Sequence, residues 1–212
     1  MSKYDIVAIY IDGKHLGETD IVIARGLKIE QEILFIIDGA KGLYKGIKAV
    51  VGEKALVQRC QWHKRENVLS YLPKNLQGKF RNKLQSAYEQ PTYVKAKAKL
   101  MTIRTELKLL NESAVASLDE GLEETLTLHK LGVFRQLGHS FKTTNCIENL
   151  DRQIQGYTGR VCRWQNSNQR RRWVASALLE VEPKLNKVSG YKSLTLLREK
   201  ITQQQIELKN AA

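Results

Sequence analysis

The sequence predicts an α/β fold in which a short β-rich N-terminal part gives way to a long helical remainder. Three observations carry this. Two runs rich in β-branched residues lie near the N-terminus, Ile33 to Ile37 is uninterruptedly apolar, and from about His63 onward apolar residues recur every three or four positions. A chain of 212 residues can bury a core as one domain with an insertion or as two small domains.

Residues 5–11 (DIVAIYI) and 20–24 (DIVIA) read as two antiparallel strands, with Asp12-Gly13 marking a turn region between them. Residues 33–37 (ILFII) have no polar position, the pattern of a strand covered on both faces in the middle of a sheet, and Asp38-Gly39 ends the run. Leu43, Ile47 and Val50 then repeat at helical spacing, and Ala55-Leu56-Val57 reads as one more short strand. Tyr93, Ala96, Leu100, Ile103, Leu107 and Leu110 define a long amphipathic helix that starts beside Pro91 and ends near Asn111. Its other face carries Lys95, Lys97, Lys99, Arg104 and Lys108, which a solvated helix face explains better than a DNA track. A helical stretch over 118–131 leads through Gly132 and Gly138 into the polar Thr143-Thr144-Asn145. After Glu148 the pattern is helical, irregular over 156–164, and helical again over 168–181, where Pro183 stops it.

The balance of 35 Lys+Arg against 22 Asp+Glu leaves a net charge of +13 and points to a polyanionic partner, most often nucleic acid. Three widely separated cysteines, Cys60, Cys146 and Cys162, argue for a reducing compartment rather than a disulfide framework. The longest apolar stretch is far below a membrane span and residues 1–5 lack a signal-peptide pattern, so a cytoplasmic protein without a membrane partner is expected.

Asp12 and Asp38 each close an apolar run and precede a glycine, whereas Glu148 lies in a polar segment far downstream. Phosphoryl transfer between nucleic-acid strands builds charge on the attacking and leaving oxygens, which two divalent cations roughly 3.5–4 Å apart stabilise. Magnesium takes oxygen ligands, and aspartates ending neighbouring strands place both carboxylates beside one site, where a helical glutamate completes the cage. Each residue also has a plainer reading. Asp-Gly after a strand is an ordinary turn, and Asn145-x-x-Glu148 matches a capping box. Cys60 and His63 form a single Cys-x-x-His pair, too few ligands for structural zinc, so no zinc is expected. Arg160, Arg163, Arg170, Arg171 and Arg172, interleaved with Trp164 and Trp173, make the best DNA-contact patch. Trp173 reads as core beside Ala177 and Val181, and Trp164 fits core or contact equally.

Residues 56–73, LVQRCQWHKRENVLSYLP, resemble the signature of the mutator-type transposases of bacterial insertion sequences, in which an Arg-Cys-x-x-His-Lys block opens a helical insertion inside an RNase H-like core. YIDGKH at 10–15, IDGAKGL at 37–43 and KTTNCIEN at 142–149 match as well, and the resemblance continues through 160–173. It implies an RNase H-like core of mixed sheet and flanking helices, begun by residues 1–62, interrupted by an all-helical insertion over 63–140 and completed by 141–212. It makes Asp12, Asp38 and Glu148 the catalytic acidic triad, holding two Mg2+ or Mn2+ ions. Cys60 and His63 become motif residues near the site: His63 contacts DNA phosphate or organises the site, and Cys60 packs. DNA contacts are implied at Lys64, Trp164 and the late arginines. The implied partners are terminal inverted repeats and target DNA, met at the bacterial nucleoid by a homo-oligomer or by co-assembly with an intact transposase.

The sequence departs from that pattern in one place. Between its aspartates an RNase H-like core needs two further strands and a crossover helix, roughly 30–40 residues. Only residues 13–37 lie there, and 33–37 are already a strand. An internal deletion near Ala24-Arg25 follows, and the family's N-terminal DNA-recognition region is also missing from the expected organisation. The expectation is therefore an incomplete core and a degenerate copy with impaired metal-dependent cleavage and strand transfer. The alternative is a non-catalytic DNA-binding remnant that interferes with an intact transposase.

Overall fold

The computed structural model describes residues 6–11, 14–16, 19–21 and 31–210. Asp12 and the Ala24-Arg25 junction lie outside the described residues. The elements in chain order are β1 (Ala8–Ile11), β2 (Lys14–Leu16), β3 (Thr19–Ile21), β4 (Ile33–Ile37), α1 (Lys41–Val51) and β5 (Ala55–Arg59). Helices follow: α2 (Gln61–Ser70), α3 (Lys74–Tyr88), α4 (Tyr93–Lys108), α5 (Glu112–Asp119), α6 (Leu122–Thr125), α7 (Thr127–Lys130), α8 (Phe134–Phe141), α9 (Asn145–Thr158), α10 (Ser167–Val181) and α11 (Leu194–Asn210). The fold is α/β and mostly helical.

The sheet is three-stranded and parallel, in the order β1-β4-β5. All five residues of β4 are buried, as its unbroken apolar run requires of a central strand. Alternation divides them between two cores. Leu34 and Ile36 meet Leu128 of α7, Leu137 and Phe141 of α8, and Leu197 and Ile201 of α11. Ile33, Phe35 and Ile37 face the other way, onto Ile47 of α1 and Ala55 and Val57 of β5. Each such side chain contributes about 1.5–3 kcal/mol on burial, so β4 is a strongly stabilised strand. Val50, at helical spacing from Ile47, is 85% exposed instead, because α1 turns Leu43, Tyr44 and Val51 toward this core.

Among the described residues the expected antiparallel pairing of 5–11 with 20–24 is not made. β1 pairs in parallel with β4, and β3 pairs antiparallel with β2 in a separate two-stranded sheet. Among the described residues the three-stranded sheet is parallel throughout. Lys14–Leu16 escaped notice as a strand because Lys-His-Leu carries no apolar alternation, while the apolar β1 gains most by lying against the all-apolar β4.

A third core lies among α2 to α6, built from Val68, Leu69, Phe80, Leu84, Leu100, Leu107 and Leu118. Helix α4 starts where the Thr92 side chain accepts the Lys95 amide, and α5 where Asn111 accepts that of Ala114. The lysine face of α4 is not merely solvated: Lys97 pairs with Glu123 at 2.8 Å, and Arg104 with Asp119 at 2.6 Å. The expected single helix over 118–131 is broken into the end of α5, α6 and α7. The break falls at Gly121, whose φ of 66° no helix accommodates.

Gln58 ties this helical block to the sheet. Fully buried, it donates to the carbonyls of Arg59 and Thr125 and accepts the Leu128 amide. The Thr127 hydroxyl donates to the Val57 carbonyl at 2.6 Å.

Candidate active site

Parallel pairing sets Ile11 opposite Ile37, so the residues that immediately precede Asp12 and Asp38 are neighbours at the same end of adjacent strands. Asp38 follows β4, and its Oδ1 accepts the Ala40 amide at 2.9 Å. The turn role expected of Asp-Gly is therefore real, and it occupies one carboxylate oxygen.

The third strand delivers the Cys-x-x-His pair to the same end. Beyond β5 the Cys60 amide donates to the Ile37 carbonyl at 2.8 Å, extending the ladder by one residue, and α2 begins at once. The Gln61 amide donates to the Lys142 carbonyl at 2.9 Å, which draws the segment before α9 to the start of α2. His63, one turn into α2, is half-buried.

Glu148 does not form the expected capping box. Helix α9 begins at Asn145, with Thr144 at the cap position and no side-chain cap bond. Instead the Thr144 hydroxyl donates to Glu148 Oε1 at 2.6 Å and lies 3.3 Å from His63 Nδ1. With its one proton given to Glu148, that hydroxyl accepts from His63 Nδ1–H. His63 Nε2 is 3.9 Å from the same Glu148 oxygen.

The charges agree with this geometry. Interaction with the Cys60 thiol is the main cause holding His63 above its ordinary pKa; burial opposes it, and the charges of Cys60, Glu148 and Asp38 add to it. Burial pushes the completely buried Cys60 thiol up, but bonding to His63 and Thr144 outweighs it and leaves the thiol below its ordinary value. Cys60 is packed out of solvent at the start of α2, beside the imidazole. Asp38, Cys60, His63, Thr144 and Glu148 thus share one neighbourhood. Thr144 was missed from sequence, although it stands one helical turn before Glu148 inside the quoted KTTNCIEN segment.

The donor set suits a hard cation in part. Asp38 and Glu148 each keep one oxygen outside the bonds described, and both act on His63 from around the same ring. Among the described residues no group of three His, Cys, Asp or Glu is placed to hold a metal, and Asp12, the expected third carboxylate, lies outside them.

The expected DNA contacts divide. Arg160, Arg163, Arg171 and Arg172 are exposed, and among the described residues they make no salt bridge; Arg170 and Trp164 are half-buried. Trp173 is 42% exposed rather than core. The buried stripe of α10 is Val174, Ala177 and Val181, which packs toward α9 and turns the adjacent Trp173 to its rim. Lys64 does not join the exposed set. It is buried, with Nζ donating to the Ser117 carbonyl at 2.7 Å and to the Glu120 carbonyl, beside the Glu120 carboxylate at 3.9 Å. It clasps the end of α5 and is turned away from solvent.

Fold and site define a small α/β protein with a helical block and a carboxylate–imidazole–thiol cluster at the ends of parallel strands. Residues 21–186 match the family described as Transposase, Mutator family, and the chain belongs to that family. It is 29% identical over 175 residues to the transposase for insertion sequence element ISRM5 of Rhizobium meliloti (strain 1021). That alignment covers 82% of this chain and 43% of the relative, so the chain spans less than half of the relative's length. No helix among the described residues is long and apolar enough to cross a membrane.

Proposed function

We propose that the chain carries the DNA-cleaving centre of a mutator-type transposase, in an RNase H-like core formed by residues 1–62 and 141–212 around a helical insertion over 63–140. Its ancestral activity is cleavage at insertion-sequence ends and transfer of the freed 3′-hydroxyl end to target DNA. The observation that carries this is the meeting of Asp38, His63 and Glu148 at the end of the β1–β4 pair, where Ile11 leads into Asp12. Asp12, Asp38 and Glu148 would hold the divalent ions, magnesium or manganese, which when bound stabilise charge on the attacking and leaving oxygens. Thr144 orients Glu148 and, through His63 Nδ1, the imidazole. His63 sets an imidazole, held above its ordinary pKa by Cys60 and the nearby charges, beside the carboxylates. The exposed arginines Arg160, Arg163, Arg171 and Arg172 grip backbone phosphates. The partners are element ends and target DNA, and the assembly on DNA is a homo-oligomer or one mixed with an intact transposase.

The short connection between Asp12 and Asp38 favours impaired activity. A non-catalytic DNA-binding remnant is the second reading: β2 and β3 lie between Asp12 and Asp38 in a sheet of their own, and residues 22–32, all that separates β3 from β4, are short for the crossover helix and turns that buttress such a site. Incubation of the chain with a duplex carrying an element end separates the two readings. Nicking that needs Mg2+ or Mn2+ and disappears in Asp38→Ala supports the enzyme. Salt-sensitive binding without metal-dependent nicking supports the remnant.

A further inference from the structure

Arg59, the last residue of β5, is buried and reaches two separate turns. Its Nη2 donates to the Gly39 carbonyl at 2.8 Å, in the turn that follows Asp38, and its Nη1 donates to the Glu120 carbonyl at 3.1 Å, in the turn between α5 and α6. Both turns are shaped to the guanidinium. Gly39 has φ 110°, and a Cβ there would lie 2.5 Å from Nη2 and 2.7 Å from Nε. Gly121 has φ 66°, and a Cβ there would collide with Nη1. Only residues without a side chain allow both backbones to close on the planar fork. Further ties converge on the same turn: Lys64 bonds the Glu120 carbonyl, and Lys41 at the start of α1 lies 3.4 Å from the Glu120 carboxylate.

We propose that Arg59 is a positioning residue whose guanidinium clamps the Asp38–Gly39 turn to the Glu120–Gly121 turn, so that the helical block sets where the Asp38 carboxylate stands. This rests on Asp38 as a metal-holding carboxylate. The Ala40 amide that bonds Asp38 Oδ1 belongs to the same turn, so the clamp on Gly39 also fixes the direction of the carboxylate. A lysine at this position keeps the charge but cannot hold both carbonyls at the separation the fork spans. The helical block, which contributes no carboxylate to the site, thereby acquires a direct hold on the Asp38 carboxylate.

The test is calorimetric titration of Mn2+ into the full chain and into Asp38→Ala, Arg59→Lys and Leu107→Ala. Leu107 is fully buried in the core of the helical block, on α4 and outside both turns, so its variant controls for lost stability. Supporting tethers of metal ligands are worth about tenfold or more in affinity. Arg59→Lys is therefore expected to weaken Mn2+ by at least about that factor, while Leu107→Ala stays within about twofold. Wild-type affinity in Arg59→Lys overturns the clamp and leaves the acidic site standing, as does an equal loss in Leu107→Ala. Unchanged binding in Asp38→Ala removes the site itself. Hydrogen exchange on the wild-type chain decides the case if Arg59→Lys does not fold. The clamp requires the Ala40 and Glu120 amides to open together, and independent opening overturns it.

Discussion

Replacing Lys64 by methionine separates a buried clasp from a DNA contact. Two hydrogen bonds from the ammonium to the Ser117 and Glu120 carbonyls are lost, at about 1.5–3 kcal/mol each for a charged donor. Against this, burial first, and then the neighbouring Arg59, push the Lys64 pKa down to about 8 from 10.5, with Glu120 opposing. At about 1.36 kcal/mol per pH unit, keeping that charge inside costs roughly 3 kcal/mol at neutral pH, a cost methionine does not bear. The two terms largely offset, and Lys64→Met is expected to be destabilised by about 0–3 kcal/mol in urea unfolding at pH 7. The pH dependence is sharper. Between pH 8 and 10.5 the unfolded chain binds more protons at Lys64 than the folded chain, so stability contributed by this residue rises with pH across that window. The gap between wild type and Lys64→Met therefore widens from pH 8 to 10. DNA affinity and its salt dependence are unchanged. A constant gap from pH 7 to 10, together with a log–log salt slope reduced by about one, would refute the buried clasp.

Glu123 is held down to about 2, burial opposing, by hydrogen bonds from Lys130, Lys97 and Tyr93. Its stabilisation is complete above the ordinary 4.5 and is lost as pH falls from there toward 2; at 43% side-chain exposure it amounts to roughly 1 kcal/mol. Melting from pH 6 to 3 should cost the wild type more than Glu123→Gln, and parallel curves contradict this. His129 stacks on Phe134 at 3.7 Å, and its Nε2 faces the Tyr88 and Gln90 carbonyls, so Nε2 carries the proton. Burial keeps its pKa below 6.5, so the stability of neutral His129 is full above 6.5 and erodes as pH falls below it. Proton NMR should show the His129 titration midpoint below 6.5, and a midpoint above that value would be inconsistent with this packing. The double variant Arg171→Ala/Arg172→Ala should lower DNA affinity uniformly across sequences and reduce the salt slope by about two, with melting unchanged within about 0.5 kcal/mol. An unaltered slope removes α10 from the DNA surface.

Much of this architecture is legible along the chain because burial writes itself as periodicity. The five apolar residues of β4 could only be a central strand, and the three- and four-residue spacing of α4 gave its bounds closely. Pairing partners were not legible. β1 had an adjacent apolar run at 20–24 but found more apolar contact on β4, and nothing in Lys14–Leu16 advertises a strand. Side-chain direction was equally hidden. Lys64 and Trp173 sit in polar, basic stretches, yet one turns inward to orphan helix carbonyls and the other outward beside a buried Val174. At the site, Asp38, His63 and Glu148 were named from motifs, but the spacing that suggested a capping box concealed Thr144, which takes Glu148 as its acceptor instead. Arg59 stands inside a signature segment, but its two-turn reach depends on the Glu120–Gly121 turn, distant in sequence, and only the folded chain reveals it.

The most direct measurement is calorimetric titration of Mn2+ into the purified chain beside Asp38→Ala and Glu148→Gln, with folding checked by circular dichroism. Saturable binding that is lost in both variants is the predicted result. Wild-type binding in either variant, or none to a folded wild-type chain, would contradict a surviving acidic centre.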